Sequence, residues 1–319
     1  MGALSILLYL LATAFGSTIQ ATKIRDLHAV QPSDITYLFY SRADLVGTRV
    51  EFKAARTIES KTHFDANLET FFLVHGWIDF CKIGSLAVKV KEALLNYHDV
   101  NVVAVCWEKW SNTEYVTAVN SIGQVGGFIG DFMLDMVSDG KYSLSKITIA
   151  GHSLGAHVAG AAGARTNGSL AYIIGLDPAG IGFSKSDPTG RLDSTDAGYV
   201  EAIHTNAGLG GITYNVGHSD FWPNGGTVQA GCFLLDAACS HKRAIDLYAE
   251  SVGKENNFVS TKCDNYDHYI NGNCRNESTA LMGGFNLETR ARGDYYLTTN
   301  SHPPYAIHVD GSSKRFRSH

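Results

Sequence analysis

Residues 151–155 read Gly-His-Ser-Leu-Gly, directly after the apolar run Lys146-Ile-Thr-Ile-Ala150 and ahead of Ala156-His-Val-Ala-Gly-Ala-Ala162. A buried strand, a tight turn carrying a serine and a helix give the context of a nucleophile elbow. The turn is so sharp that side chains at 151 and 155 would strike the strand and the helix, which calls for glycine at both. Ser153 is therefore the candidate nucleophile for attack on a carbonyl. The next strand-like run, 171–176, ends in Asp177-Pro178-Ala179-Gly180. A carboxylate at the C-terminal tip of the neighbouring parallel strand lies beside the nucleophile. Asp-Pro also starts turns, but Ser153 one strand earlier favours the chemical role. In the order serine, acid, histidine, the base comes later: His204, His218, His241, His268, His302 or His308. His204 falls in the strand-like run 200–205 and reads as structural. His218 lies in a loop that is either structural or lines a pocket. His241 sits on a loop between a cysteine and a helix start, held at fixed height, and position favours it.

These residues need elements to hold them. Strand-like runs occur at 35–40, 50–53, 71–74, 101–106, 146–150, 171–176 and 200–205, with late strands at 258–263 and 294–299. Helical patterns fill 86–97, 113–137, 154–164 and 241–251. Strands alternating with helices predict an α/β fold with a mostly parallel central sheet flanked by helices. The chain has 319 residues, 45% of them hydrophobic, enough for one large core. With a net charge of −5, nothing suggests a nucleic-acid partner, and none is expected. Residues 4–15 resemble the apolar core of a signal peptide, though Lys and Arg are absent before it. We expect a signal peptide at 1–16, a single domain at 17–319, no transmembrane segment and a secreted, extracellular protein. The basic stretch Lys314-Arg-Phe-Arg317 reads as a solvated end.

Six cysteines suit that compartment but leave their pairing open. Cys232 with Cys239 and Cys263 with Cys274 each flank a short loop, which leaves Cys81 with Cys106 at the ends of predicted strands. No Cys-x2-Cys pair points to a metal site. Asn167-Gly-Ser169 and Asn276-Glu-Ser278 are glycosylation sequons.

Six co-linear segments carry a wider likeness: Thr70-Phe-Phe-Leu-Val-His-Gly-Trp77, Gly151-His-Ser-Leu-Gly-Ala-His157, Gly175-Leu-Asp-Pro-Ala179, Ile203-His-Thr205, Asp220-Phe-Trp-Pro-Asn-Gly-Gly226 and Cys239-Ser-His241. Together they resemble the pancreatic-type lipase family, which includes vertebrate lipases, insect neutral lipases and wasp-venom phospholipases A1. The resemblance covers residues 33–310. It implies an α/β-hydrolase fold with Ser153, Asp177 and His241 as catalytic triad. The main-chain N–H of Leu154 follows the nucleophile and should serve the oxyanion hole; the resemblance adds that of Trp77. It also implies a lipid substrate met at a membrane or lipid interface. Vertebrate relatives carry a C-terminal β-sandwich domain; this chain has no room for one, so no obligatory protein cofactor is expected. Arg191, Asp193 and Asp196 match positions that bind calcium in some relatives. Pro188 stands where an acidic residue is expected, so no metal and no other cofactor is anticipated.

The lid implied by the resemblance lies between Cys232 and Cys239 and holds only residues 233–238, with Phe233, Leu234 and Leu235 at its apolar start. Family triacylglycerol lipases carry a much longer lid. The loop 206–216 is also short. Both features place the chain in the insect neutral lipase and phospholipase A1-like branch, and imply cleavage of the sn-1 ester of a phospholipid or galactolipid. A triacylglycerol lipase is the alternative. A catalytically silent lipid-binding or yolk-type protein is the alternative of another class, which would not need Ser153, Asp177 and His241 together.

Overall fold

Runs such as Thr-Phe-Phe-Leu-Val and Asn-Val-Val-Ala-Val-Cys show no alternation of polar and apolar residues, the mark of strands covered on both faces. They form β3 (Thr70–Val74) and β4 (Asn101–Cys106), buried at every position. In this computed structural model, residues 29–81, 85–233 and 236–307 are described. The signal segment 1–16, Leu234, Leu235, His308 and the tail 314–317 lie outside them.

β3 and β4 belong to a parallel block with β5 (Ile147–His152), β6 (Tyr172–Leu176), β7 (Tyr199–Ile203), β8 (Ser219–Pro223) and β11 (Gly293–Leu297). Antiparallel strands extend both edges: β1 (Thr36–Ser41) and β2 (Asp44–Val50) beyond β4, β9 (Val259–Lys262) and β10 (Thr279–Leu281) beyond β11. The sheet runs β10-β9-β11-β8-β7-β6-β5-β3-β4-β1-β2. One face packs on helices Tyr115–Met136 and Leu154–Arg165 through Ile122, Val125, Ile129 and Val158. The other packs on helices Ser85–Tyr97 and Ala237–Ser251 through Val90, Leu94, Ile245 and Tyr248. This is the α/β-hydrolase arrangement expected. Among the described residues no helix is long and apolar enough to cross a membrane.

Two expectations are corrected. Residues 50–53 are not a strand: β2 ends at Val50, and Phe52–Thr57 is a 3-10 helix. Ala55 and Ile58 are buried at a helical spacing, and Phe52 packs edge-on against Phe128. Residues 219–223, read as loop, form β8. Its polar start and terminal Pro223 hide the pattern; pairing with β7 ends at Phe221, so β8 is an edge on that side at Pro223, where Pro is tolerated. Disulfides join Cys81–Cys106, Cys232–Cys239 and Cys263–Cys274, with Cα separations of 5.0, 5.7 and 5.6 Å. Asn167 and Asn276 are both exposed.

A buried carboxyl sits under the helix that carries His241. Glu201 in β7 is 1% exposed; its Oε1 accepts from Gly283 N–H at 2.7 Å, while Oε2 has no partner. Burial first, then the charges of Asp220 and Glu288, push its pKa up to about 8. The folded chain therefore keeps a proton that the unfolded chain releases near pH 4.5, and stability falls as pH rises from about 4.5 to 8. Glu201→Gln removes this slope. Thermal melts should show the variant gaining on the parent across that window, by on the order of 2–4 kcal/mol at pH 8. A stability difference that stays flat with pH would contradict the assignment.

Candidate active site

The parallel strands end together at one edge of the sheet, and their loops build the site. Ser153 follows β5 at φ 57° and ψ −121°. A non-glycine residue holds such a conformation only where its surroundings impose it. Here the packing of strand on helix imposes it. A Cβ at Gly151 would lie 2.1 Å from the Gly155 carbonyl oxygen. A Cβ at Gly155 would lie 2.2 Å from the carbonyl oxygen of Val74 and 2.5 Å from that of His75. The Ser153 N–H donates to Leu176 O at 3.0 Å, and its carbonyl accepts from Ala156 at 3.1 Å.

Asp177 follows β6 at φ 44°, with its N–H donating to Ile203 O at 2.7 Å. Its carboxylate is fully buried. Oδ1 accepts from the N–H groups of Thr205 and Asn206 at 2.8 and 2.9 Å, and Oδ2 accepts from His241 Nδ1 at 2.5 Å. Two main-chain donors thus fix the plane of the carboxylate and leave one oxygen for the imidazole. With Nδ1 donating, the lone pair of a neutral His241 lies on Nε2. Gly210 and Gly211 cover this pair: a Cβ on them would lie 3.2 Å from His241 Nδ1 and 2.5 Å from Asp177 Oδ1 respectively.

His241 is not on a loop ahead of its helix, as the sequence suggests. The helix begins at Ala237, because Asp236 Oδ1 accepts from Cys239 N–H at 3.1 Å and caps it early. His241 stands in the second turn, still beside the nucleophile: its ring centroid is 4.6 Å from that of His152. The other histidines lack such a position. His204 pairs with Asp220 at 2.8 Å, but both are fully buried and Trp222 covers the ring. His218 lies at the N-terminal end of β8, away from the site, where Nδ1 accepts from Val200 N–H. His268 pairs with Asp264 on the surface, and His302 is exposed.

Three buried histidines that the sequence reading left without a role hold the loops in place. His75 Nδ1 donates to Gly76 O at 2.9 Å, and Nε2 accepts from Trp107 N–H at 3.3 Å. Burial holds its pKa below the usual value, which keeps this tautomer neutral. His157 Nε2 donates to Ala179 O at 2.8 Å, and Nδ1 accepts from Leu192 N–H at 3.0 Å. Burial drives its pKa down to about 4. His152 donates to the carbonyl of His241 at 3.0 Å. All three stand inside the motifs quoted above, but only the partners reveal what they do.

The loop after His75 brings Trp77 beside the nucleophile; a Cβ on Gly76 would lie 3.0 Å from Ser153 Cβ. Among the described residues, neither the Trp77 nor the Leu154 N–H donates to a main-chain carbonyl. The Trp77 indole donates to Thr113 O at 2.9 Å and packs edge-on against Tyr115. The Tyr115 hydroxyl donates to Ile181 O at 2.8 Å, closing an apolar wall. Phe233, next to Cys232, is 83% exposed. Asp193 and Asp196 do not form a cation cage. Asp193 Oδ1 accepts from Thr195 N–H, Asp196 Oδ2 accepts from Asp193 N–H, and Arg191 lies 3.5 Å from Asp193 Oδ2. With Pro188 in place of an acid, this set does not fit calcium.

The chain belongs to the lipase family, whose profile matches residues 13–305. It is 35% identical over 268 residues to pancreatic triacylglycerol lipase of Myocastor coypus, covering 76% of this chain and 58% of that one. Phospholipase A1 member A of Bos taurus is 35% identical over 266 residues, covering 77% and 58%. Inactive pancreatic lipase-related protein 1 of Canis lupus familiaris is 36% identical over 241 residues, covering 68% and 51%. The chain thus spans a little over half the length of these relatives. An inactive relative at similar identity means that membership alone does not give activity.

The tight approach at the elbow makes a direct test. Gly155→Ala should cost about 1–3 kcal/mol, because the methyl forces helix and strand apart. Gly123→Ala lies on an exposed helix position with nothing within 4 Å of the added Cβ, and should stabilise by about 0.5–1 kcal/mol. Urea unfolding of both variants checks this. Equal effects of the two substitutions would refute the packing account.

Proposed function

We propose that this chain is a secreted carboxylic ester hydrolase of glycerolipids, with Ser153 as nucleophile, His241 as base and Asp177 as orienting acid. The observation that carries the reading is the Asp177–His241 hydrogen bond, set beside a serine in the strained elbow conformation. His241 Nε2 takes the Ser153 hydroxyl proton as Oγ attacks the ester carbonyl. Asp177 Oδ2 keeps Nδ1 protonated and stabilises the imidazolium. The tetrahedral oxyanion receives hydrogen bonds from the N–H groups of Trp77 and Leu154; losing one such donor typically costs about 100- to 1000-fold in rate. The intermediate collapses as His241 hands its proton to the leaving alcohol, giving an acyl-Ser153 ester. Water attacks that ester by the same proton relay in reverse, releasing the fatty acid.

We further propose phospholipase A1-type selectivity for the sn-1 ester of a phospholipid or galactolipid. The lid supports it. The Cys232–Cys239 disulfide closes residues 233–238, and the helix from Ala237 already occupies part of that stretch. So short a loop cannot form an amphipathic flap over the site, and its low wall leaves room for a polar headgroup. Exposed Phe233 still offers contact with lipid. Triacylglycerol is the second reading, supported by the relatives named triacylglycerol lipases.

The test measures fatty-acid release from phosphatidylcholine, a galactolipid and triolein, with parent and Ser153→Ala proteins. The expected result is sn-1 release from phosphatidylcholine or galactolipid, little rate increase at the oil interface and no hydrolysis by Ser153→Ala. Asp177→Asn should lower the rate about 10,000-fold, because it favours the wrong imidazole tautomer. Hydrolysis of triolein alone would overturn the A1 proposal. An active Ser153→Ala protein would overturn the triad.

A further inference from the structure

The geometry points to His152 as the positioning residue that sets the distance between nucleophile and base. This inference rests on the reading of Ser153 and His241 given above. His152 is 4% exposed and immediately precedes Ser153. Its Nε2–H donates at 3.0 Å to the main-chain carbonyl of His241, across 89 residues of sequence. Its ring also lies against the His241 ring, with centroids 4.6 Å apart and planes inclined by 47°. Among the described residues, no other hydrogen bond joins 147–153 to the helix Ala237–Ser251. The two halves of the proton relay come from a strand and a helix far apart in the chain. His152 ties the peptide next to the nucleophile directly to the peptide that carries the base.

Asp177 holds His241 through Nδ1 alone, which leaves the ring free to tilt about that bond. The carbonyl tether fixes the His241 backbone, and the flanking ring limits the tilt. A misplacement near 1 Å in such a site can cost on the order of 100-fold in rate. The donor has to be neutral as well. His241 becomes positively charged during each proton transfer, and a cation against its ring would oppose that. Burial first, then repulsion from His241 when it is protonated and from Lys242, hold His152 far below its ordinary proton affinity. The neutral ring carries its hydrogen on Nε2 for the tether and its lone pair on Nδ1, the atom that faces Gly76. A histidine at this place thus supplies an uncharged donor and a flat flank together.

Three full-length proteins test this on a soluble ester, p-nitrophenyl butyrate, with kcat, KM and Tm read for each. His152→Phe keeps the flank and removes the donor; His152→Gln restores an uncharged donor. The expected result is a kcat about 10- to 100-fold lower for His152→Phe with KM nearly unchanged. His152→Gln should return most of that loss at a similar Tm. If His152→Phe does not fold, His152→Met serves as the donor-free variant. A folded donor-free variant with parental kcat overturns the inference. So does a folded His152→Gln as slow as the donor-free variant. An active Ser153→Ala protein would instead sink the triad on which this rests. An inactive Ser153→Ala beside an unimpaired donor-free variant sinks the His152 role alone.

Discussion

Gly155 and the carbonyls of Val74 and His75 meet with no space for a side-chain carbon, and the site is built around that contact. It seats the N-terminus of the helix Leu154–Arg165 against the end of β3. Ser153 is then forced into a backbone conformation that lifts its hydroxyl out of the sheet. The same contact brings the loop after His75 to the nucleophile, and with it the Trp77 N–H. One packing constraint therefore places Ser153 together with the N–H groups of Trp77 and Leu154, the proposed nucleophile and oxyanion donors. Such preorganisation is where serine hydrolysis gains most of its rate.

Around that contact, buried histidines act as neutral clamps. His75, His152 and His157 each donate one ring hydrogen to a main-chain carbonyl. Burial suppresses their protonation, which favours the neutral rings that these hydrogen bonds use. Asp177 is handled differently. It is fully buried, but two main-chain N–H groups and His241 satisfy its oxygens. Gly210 and Gly211 close over the pair. The short loop 206–216 therefore cannot be judged by substrate shape alone, since part of it roofs the Asp177–His241 bond.

Much of this was legible in the sequence. The elbow could be read because strand, Gly-x-Ser-x-Gly and helix follow one another locally. Asp177 could be read because it ends the next apolar run, and the resemblance to lipases added Trp77. The parallel strands announced themselves by unbroken apolar runs. What stayed hidden depends on distant partners. β8 was obscured by Pro223 and by Asp220, whose buried carboxylate is explained by His204 and by the N–H groups of Val216 and Gly217. The early start of the helix Ala237–Ser251 depends on the Asp236 cap, a local signal that the nearby cysteine pair masked. The roles of His75, His152 and His157 required the positions of carbonyls in other elements. Leu234 and Leu235, on which part of the lid argument rests, lie outside the described residues.

The central claim is that Ser153 is a nucleophile activated by its surroundings. The most direct measurement is mass spectrometry of the protein after brief exposure to a fluorophosphonate. The account predicts one equivalent of adduct, carried by the tryptic peptide 147–165 and located on Ser153, with loss of ester hydrolysis in proportion. No adduct on a folded, ester-hydrolysing protein, or an inactivating adduct on a different residue, would contradict it.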